Sequence, residues 1–336
     1  MDPVSQAALG AAATLSVWGE DKRLGPGVVG WLGALSAMAP DLDVLIRSST
    51  DSLLAIEYHR HFTHSLSFVP VGATIALLPW LLRKDIRQHL RLAWLISALG
   101  YFTHAPLDCA TTYGTQFFWP FTDYRVSLSW VSVVDPLYTL PLLVLVILGA
   151  LRKRRLLAQI GLGFSIAYLC LGALQKHRAL CIQGELIADR GHAATRRDAV
   201  TTFMNQVTWR SLYEANGRIY IDQIRVPYIG TSCYREGSSV AVAGPIPDNL
   251  GPVAARGHRL IRWFSSDWVT EGPDDPELVS DVRYSFHAYG TEPFWGVRID
   301  AENDRAEWVA TRAERRLGLG PIVDLIFKNP EGSVCR

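Results

Sequence analysis

The chain has 336 residues, 49% of them hydrophobic and 19% charged, with a formal net charge of +1 and a mean hydropathy of +0.12. That is apolar for a soluble protein of this length and too charged for one lying wholly in lipid, so the two residue classes must be segregated along the sequence. The near-zero charge and the lack of a basic stripe interleaved with aromatics argue against a nucleic-acid partner, and five cysteines without a CxxC pair argue against thiolate zinc or thioredoxin-like chemistry.

Long apolar runs fill residues 1–175, and residues 176–336 have soluble composition. The expected architecture is therefore an α-helical polytopic membrane domain over 1–175 followed by a β-rich α+β extracytoplasmic domain over 176–336. A spanning helix needs about 20 mostly apolar residues. In chain order the candidates are a short Ala- and Gly-rich run from Val4 to Trp18, then 28–46, 63–82, 91–110, 133–151 and 156–175, about six spans in all. No basic n-region precedes the first run, so a cleaved leader is not expected. Lys22-Arg23, the stretch Arg83 to Arg91, and Arg152 to Arg155 follow the first, third and fifth runs. With alternating spans they share one side, which the positive-inside tendency makes cytoplasmic. The tail then lies outside, although Lys176-His177-Arg178 just past the last run opposes this. In the tail, alternation over Arg218–Ile224 and Ser239–Val242, with turns at Gly244-Pro245, Gly251-Pro252 and Gly272-Pro273, predicts strands, and the stretch 195–205 is expected to be helical. Cys109 and Cys170 fall in apolar runs and are expected to be small buried hydrophobes. Two of Cys181, Cys233 and Cys335 can pair outside the cytoplasm, and the sequence leaves the pairing open.

Ionisable residues in or beside a membrane span are costly and point by default to function. Asp41 and Asp43 lie near the outer end of the second run, His59, Arg60 and His64 open the third, His104 and Asp108 close the fourth, and Asp135 opens the fifth. The orientation came from lysine and arginine alone, yet these His and Asp residues all fall at one level. His104 and Asp108 are four apart, which on a helix places both on one face. Imidazole and carboxylate donors without thiolates suit a catalytic divalent ion, zinc first with manganese or iron as alternatives. The candidate ligands are Asp41, Asp43, His59, His64, His104 and Asp108, enough donors for two ions. Blander roles compete with this. A lone membrane histidine usually bridges helices, Asp41 and Asp43 can cap helix ends, and His61 reads as a surface residue.

The same residues resemble the YdjM family of inner-membrane, metal-dependent hydrolases. The likeness rests on Asp2 to Gly10, Pro40-Asp41-Leu42-Asp43, His59-Arg60-x-x-Thr63-His64-Ser65, His104-x-x-x-Asp108 running into Thr111 to Thr115, Trp119-Pro120-Phe121, and Val134-Asp135-Pro136-Leu137-Tyr138. It covers about residues 1–150. Gln6 and His61 depart from the family pattern, which often has His and Gly there. The resemblance implies a multi-spanning fold in a bacterial inner membrane and a hydrolytic activity with bound metal.

The resulting expectation is hydrolysis of an ester or phosphoester of a lipid or lipid-linked substrate at the outer membrane face, by metal-activated water. Arg60 would steady developing negative charge, and Asp43 or Asp135 would act as general base. A Ser or Thr nucleophile (Ser65, Thr111, Thr112) ranks below this, since no GxSxG-type elbow occurs. The alternatives are a metal or ion transporter, and a membrane-anchored scaffold whose tail binds a protein partner.

Overall fold

The structure is a computed structural model and describes residues 1–272, 275–285, 287–310 and 319–335. Eight helices come first: α1 (Pro3–Trp18), α2 (Gly25–Met38), α3 (Leu54–Tyr58), α4 (Val69–Leu77), α5 (Lys84–Gln88), α6 (Leu90–Cys109), α7 (Pro136–Leu151) and α8 (Arg155–Asp189). Strands β1 (Arg196–Thr201), β2 (Thr208–Ala215), β3 (Arg218–Arg225) and β4 (Cys233–Ala241) follow. After them come α9 (Pro252–Phe264), β5 (Val269–Glu271), β6 (Leu278–Asp281), β7 (Trp295–Asp300), β8 (Arg305–Ala310), α10 (Leu319–Phe327) and β9 (Val334–Cys335). The chain divides into two compact units, Met1–Leu45 with Tyr58–Ala173, and Ile46–Glu57 with Leu174–Arg336.

The first unit is helical because its apolar runs are punctuated by capping residues. Asp2 accepts from the Val4 and Ser5 amides ahead of Pro3, and Asp135 accepts from those of Leu137 and Tyr138 ahead of Pro136, so α1 and α7 start alike. Small residues let α1, α2 and α6 approach closely. A Cβ on Gly33 would collide with Thr14, and one on Gly100 would lie 2.5 Å from the Gly33 carbonyl. Gly33 thus meets Gly100 while Ala37 meets His104, so α2 and α6 run parallel, and Thr14 against Val29 sets α1 antiparallel to α2. The end of α1 meets the start of α8, where Gln159 donates to the Ser16 carbonyl at 3.2 Å. The breaks that hold Lys22, Arg91 and Arg152 therefore share one end of the helices, opposite the acidic and histidine residues. Ala12, Val29, Leu32, Ile96 and Leu142 are buried between helices, whereas Trp31, Val71, Leu78, Leu140 and Ile166 face outward.

Six spans are not found. Among the described residues, two helices are long and apolar enough to cross a membrane. One is α2 prolonged by the 3₁₀ segment Ala39–Leu45, and the other is α8. A third counts if Leu54–His64 and Leu66–Leu82, bent by 63°, form one broken span. The apolar run over 63–82 fragments because Pro70 and Pro79 each start a new helical segment. Helices α1 and α7 have 16 residues each, about 24 Å of rise against a hydrocarbon core of about 30 Å. Helix α6 has 20 residues, but Arg91, His104 and Asp108 keep it too polar to qualify.

In the second unit β1-β2-β3-β4-β9 form one antiparallel sheet and β5-β6-β7-β8 another. The expected helix over 195–205 is instead β1, paired along its whole length with β2 from Arg196↔Glu214 to Thr201↔Trp209. Its Ala199 and Val200 are buried against the sheet, so tertiary pairing overrides the local signal. The alternating runs at 218–224 and 239–242 lie in β3 and β4, the latter extending past the strand's end at Ala241. Gly251-Pro252 starts helix α9, and the expected turn at Gly272-Pro273 lies partly outside the described residues. Cys233 and Cys335 form a disulfide that joins β4 to β9. Cys109 is buried as expected, while Cys170 is exposed. The short segment 46–57 belongs to this unit: Arg256 of α9 binds Asp51 at 2.8 Å and also Glu57, and the Trp308 amide donates to Ser52 at 3.0 Å.

Candidate metal centre

Three chain segments deliver polar groups to the end of the first unit away from the basic breaks. The turn after α2 brings Asp41 and Asp43, the loop before α4 brings His59, Arg60 and His64, and the last turns of α6 bring His104 and Asp108. Four of these form one group. Asp41, His64, His104 and Asp108 each offer a donor atom, and these atoms lie within 4.8 Å of one another. His64 Nε2 and His104 Nε2 are 2.9 Å apart. Asp108 Oδ2 is 3.4 Å from the first and 3.3 Å from the second, and Asp41 Oδ1 is 3.6 and 3.4 Å from them. Ligands about 2.0–2.2 Å from a tetrahedral ion stand roughly 3.3–3.6 Å from each other, so all but the shortest of these separations match such a shell. The side chains of His64, His104 and Asp108 are fully buried, and that of Asp41 is 26% exposed, which leaves the group open on the Asp41 side.

The outer contacts orient both imidazoles through Nδ1. His104 Nδ1 is 2.5 Å from the Ala37 carbonyl, which can only accept, so Nδ1 carries a proton and Nε2 is the nitrogen turned toward the group. His64 Nδ1 lies 3.0 Å from the Thr63 hydroxyl, which itself donates to Asp43 Oδ2 at 3.3 Å. That chain places the His64 proton on Nδ1 as well. The two Nε2 atoms then face each other beside Asp108 Oδ2, a buried oxygen that also lies 3.0 Å from Arg60 Nε. A buried group of imidazole and carboxylate donors in this arrangement can hold a cation between them. The donor set therefore fits a divalent ion, and its identity is not determined by this geometry.

The remaining expected residues take other places. Asp43 stands behind the group, where it accepts from the Arg60 amide at 2.8 Å and lies 3.0 Å from His59 Nδ1 and 3.4 Å from His64 Nδ1. Arg60, in the left-handed region at φ 59°, places Nε 3.0 Å from Asp108 Oδ2, donates to Thr111 at 2.9 Å and lies over the Tyr113 ring. Asp135 is not brought to the group. Its carboxylate caps α7 and accepts from the Tyr168 hydroxyl at 2.9 Å. His61 sets its ring against Trp119 and Phe62.

Some participants carried little sequence signal. The Ala37 carbonyl is backbone, and Thr63 entered only as a position of the His59–Ser65 motif. Gln6, noted only as a departure from a family pattern, donates to Asp108 Oδ1 at 2.9 Å, and the Met1 amino group contacts the same oxygen. Arg125 donates to the Gly114 carbonyl at 2.8 Å and to that of His59 at 3.3 Å.

The sequence profile of the YdjM inner membrane protein family matches residues 1–179. Curated relatives include the uncharacterized protein YfhP of Bacillus subtilis (strain 168), 32% identical over 133 residues, which are 38% of this chain and 39% of that protein. Another is the inner membrane protein YbcI of Escherichia coli (strain K12), 33% identical over 100 residues, 29% of this chain and 57% of that protein. The similarity thus spans less than two thirds of either relative's length. No solved structure matches. With its profile match covering all of α1 to α7 and the whole donor cluster, the chain belongs to the YdjM inner membrane protein family.

Proposed function

We propose that this protein is a membrane-bound, metal-dependent hydrolase acting on an ester or phosphoester of a lipid or lipid-linked substrate. The observation that carries the reading is the pair of imidazole Nε2 atoms 2.9 Å apart between two carboxylates, with Asp41 the partly exposed member. Asp41, His64, His104 and Asp108 would hold the ion, with zinc the first choice for such a nitrogen and oxygen set and manganese or iron next. Such an ion supplies Lewis acidity toward a phosphoryl or carbonyl oxygen and acidifies water near neutral pH. His59, 23% exposed, is oriented by Asp43 at 3.0 Å, which leaves its Nε2 free to take a proton from water. Asp43 also backs His64 through Thr63, the outer-partner arrangement that fixes ring orientation. Arg60, held between Asp108 and Thr111, counters negative charge that develops on the substrate oxygen. Four donors account for one ion.

A lipid substrate is supported by position, since the group sits at one end of helices whose outer surface is apolar. The basic breaks at the other end support a cytoplasmic side there, and so an extracytoplasmic site and C-terminal domain. The Cys233–Cys335 disulfide supports the same orientation, because such bonds persist in oxidising compartments. A transporter would need polar groups along its path, yet α1, α2, α4 and α7 contain no charged residue. The test is metal analysis of the purified protein together with turnover of lipid esters and phosphoesters with and without chelator. One ion or more per chain and chelator-sensitive turnover are expected. A metal-free protein, or turnover indifferent to chelator, overturns the reading.

A further inference from the structure

An open groove of about 550 Å³ runs along the outside of the first unit between α1, α2 and α7. Its lining holds no charged, hydroxyl or amide side chain, and its volume lies in the range of small-molecule sites. Val4 and Met38 line one end, and Gly27 and Leu151 the other. From Gly27 to Met38 is eleven residues of helix, about 16 Å. The groove stays open because it lacks side chains where they would fill it, and a Cβ on Gly27 would meet nothing within 4 Å.

The Met38 end lies at the same end of the helices as the donor cluster. Met38 follows Ala37, whose carbonyl takes the His104 proton, and precedes Asp41, the exposed member of the group, by three residues. Gln6, two residues after Val4, donates to Asp108. A hydrocarbon slot that ends at the same level of the helices as this polar cluster matches an amphiphile, with an apolar tail along the helices and an oxygen-rich head at the polar end. We infer that this groove is the acyl-chain subsite of the enzyme, seating one tail of the substrate lipid so that its ester or phosphoester stands at Asp41. The inference rests on reading the cluster as a hydrolytic centre. It separates a seated chain from lipid that merely coats the protein, which would have no reason to favour this face over the exposed Ile75 or Ile166.

Full-length protein in phosphatidylglycerol nanodiscs, doped with phosphatidylglycerol carrying a diazirine at the end of a palmitoyl chain, tests this by photolabelling and mass spectrometry. Labels are expected to concentrate at the Gly27–Leu151 end of the groove. Gly27→Leu, placed where there is room for the side chain, should cut labelling there severalfold, because the new side chain occupies the space that the end of the acyl chain would take. A probe with an octanoyl chain, too short to reach Gly27, should label the near end equally in both proteins, and metal content should not change. Labels spread evenly over the outward-facing helices, or palmitoyl labelling unchanged by Gly27→Leu, overturn the subsite. Groove labelling in a protein without chelator-sensitive turnover would count against hydrolysis alone and leave the subsite standing.

Discussion

Asp43 offers the sharpest test of how the donors are held. It is 2% exposed and receives the Arg60 amide at 2.8 Å, the Thr63 hydroxyl at 3.3 Å and His59 Nδ1 at 3.0 Å, so every group facing it is a donor. Asp43→Asn keeps the volume and removes the charge. Its amide oxygen can satisfy only one side, and its NH₂ group must then point at a donor on the other. Losing one charge-assisted hydrogen bond costs about 1.5–3 kcal/mol. Felt at His64 through Thr63, this should lower metal affinity about 10- to 100-fold, the usual effect of removing an outer partner. Competition against a fluorescent chelator, with the detergent-solubilised protein, measures this directly. A melting curve of the metal-free variant close to that of the metal-free parent shows that the fold is kept. Affinity within twofold of the parent would refute the claim that Asp43 orients a metal ligand.

The other expectations concern separate parts of the molecule. His104→Ala removes a donor and its tie to Ala37, and should abolish stoichiometric metal in elemental analysis. Adding the bound ion at about 1,000 times its dissociation constant should stabilise the first unit by roughly 4 kcal/mol, read as a chelator-reversible rise in melting temperature. Reducing the Cys233–Cys335 bond, or Cys335→Ser, opens a link across 102 residues and should cost about 2–4 kcal/mol in the second unit, measured by denaturant unfolding. Burial first, and the Arg262 guanidinium second, hold His258 below its ordinary pKa. The unfolded chain thus takes up the proton more readily, so this contribution is complete above about pH 6.5 and is lost as pH falls from there through the lower pKa of the folded state. His258→Gln should flatten that part of the pH–stability curve.

The donor residues were legible because cost and position coincide: carboxylates and imidazoles at one end of apolar runs are rare without a reason. The four-residue spacing of His104 and Asp108 gave their shared face, and the structure places them 3.3 Å apart. What spacing could not supply was the division between inner and outer groups. Asp41 and Asp43 look equivalent in Pro40-Asp41-Leu42-Asp43, yet the 3₁₀ turn sends one to the four-donor group and the other behind it. Asp135 looked like a site residue for the same reasons as Asp41, and the structure uses it to start α7. Apolar composition also overstated helix length, since Pro70 and Pro79 break a run that hydropathy reads as continuous. In the tail, alternation found β3 and β4 correctly, but β1 depends on pairing with β2 that no local pattern encodes.

The excursion of residues 46–57 bears on how this protein can be dissected. Asp51 and Glu57 are gripped by Arg256, some two hundred positions later in the chain, and the same excursion runs directly into His59 and Arg60. Cutting away everything after α8 therefore strips two carboxylates of their counter-ion and frees the peptide that carries the histidine loop. A shortened protein that loses activity says little about whether the removed half binds anything. Charge reversal that keeps the clasp, Arg256→Glu combined with Asp51→Lys and Glu57→Lys, is the cleaner instrument for separating the two halves' contributions.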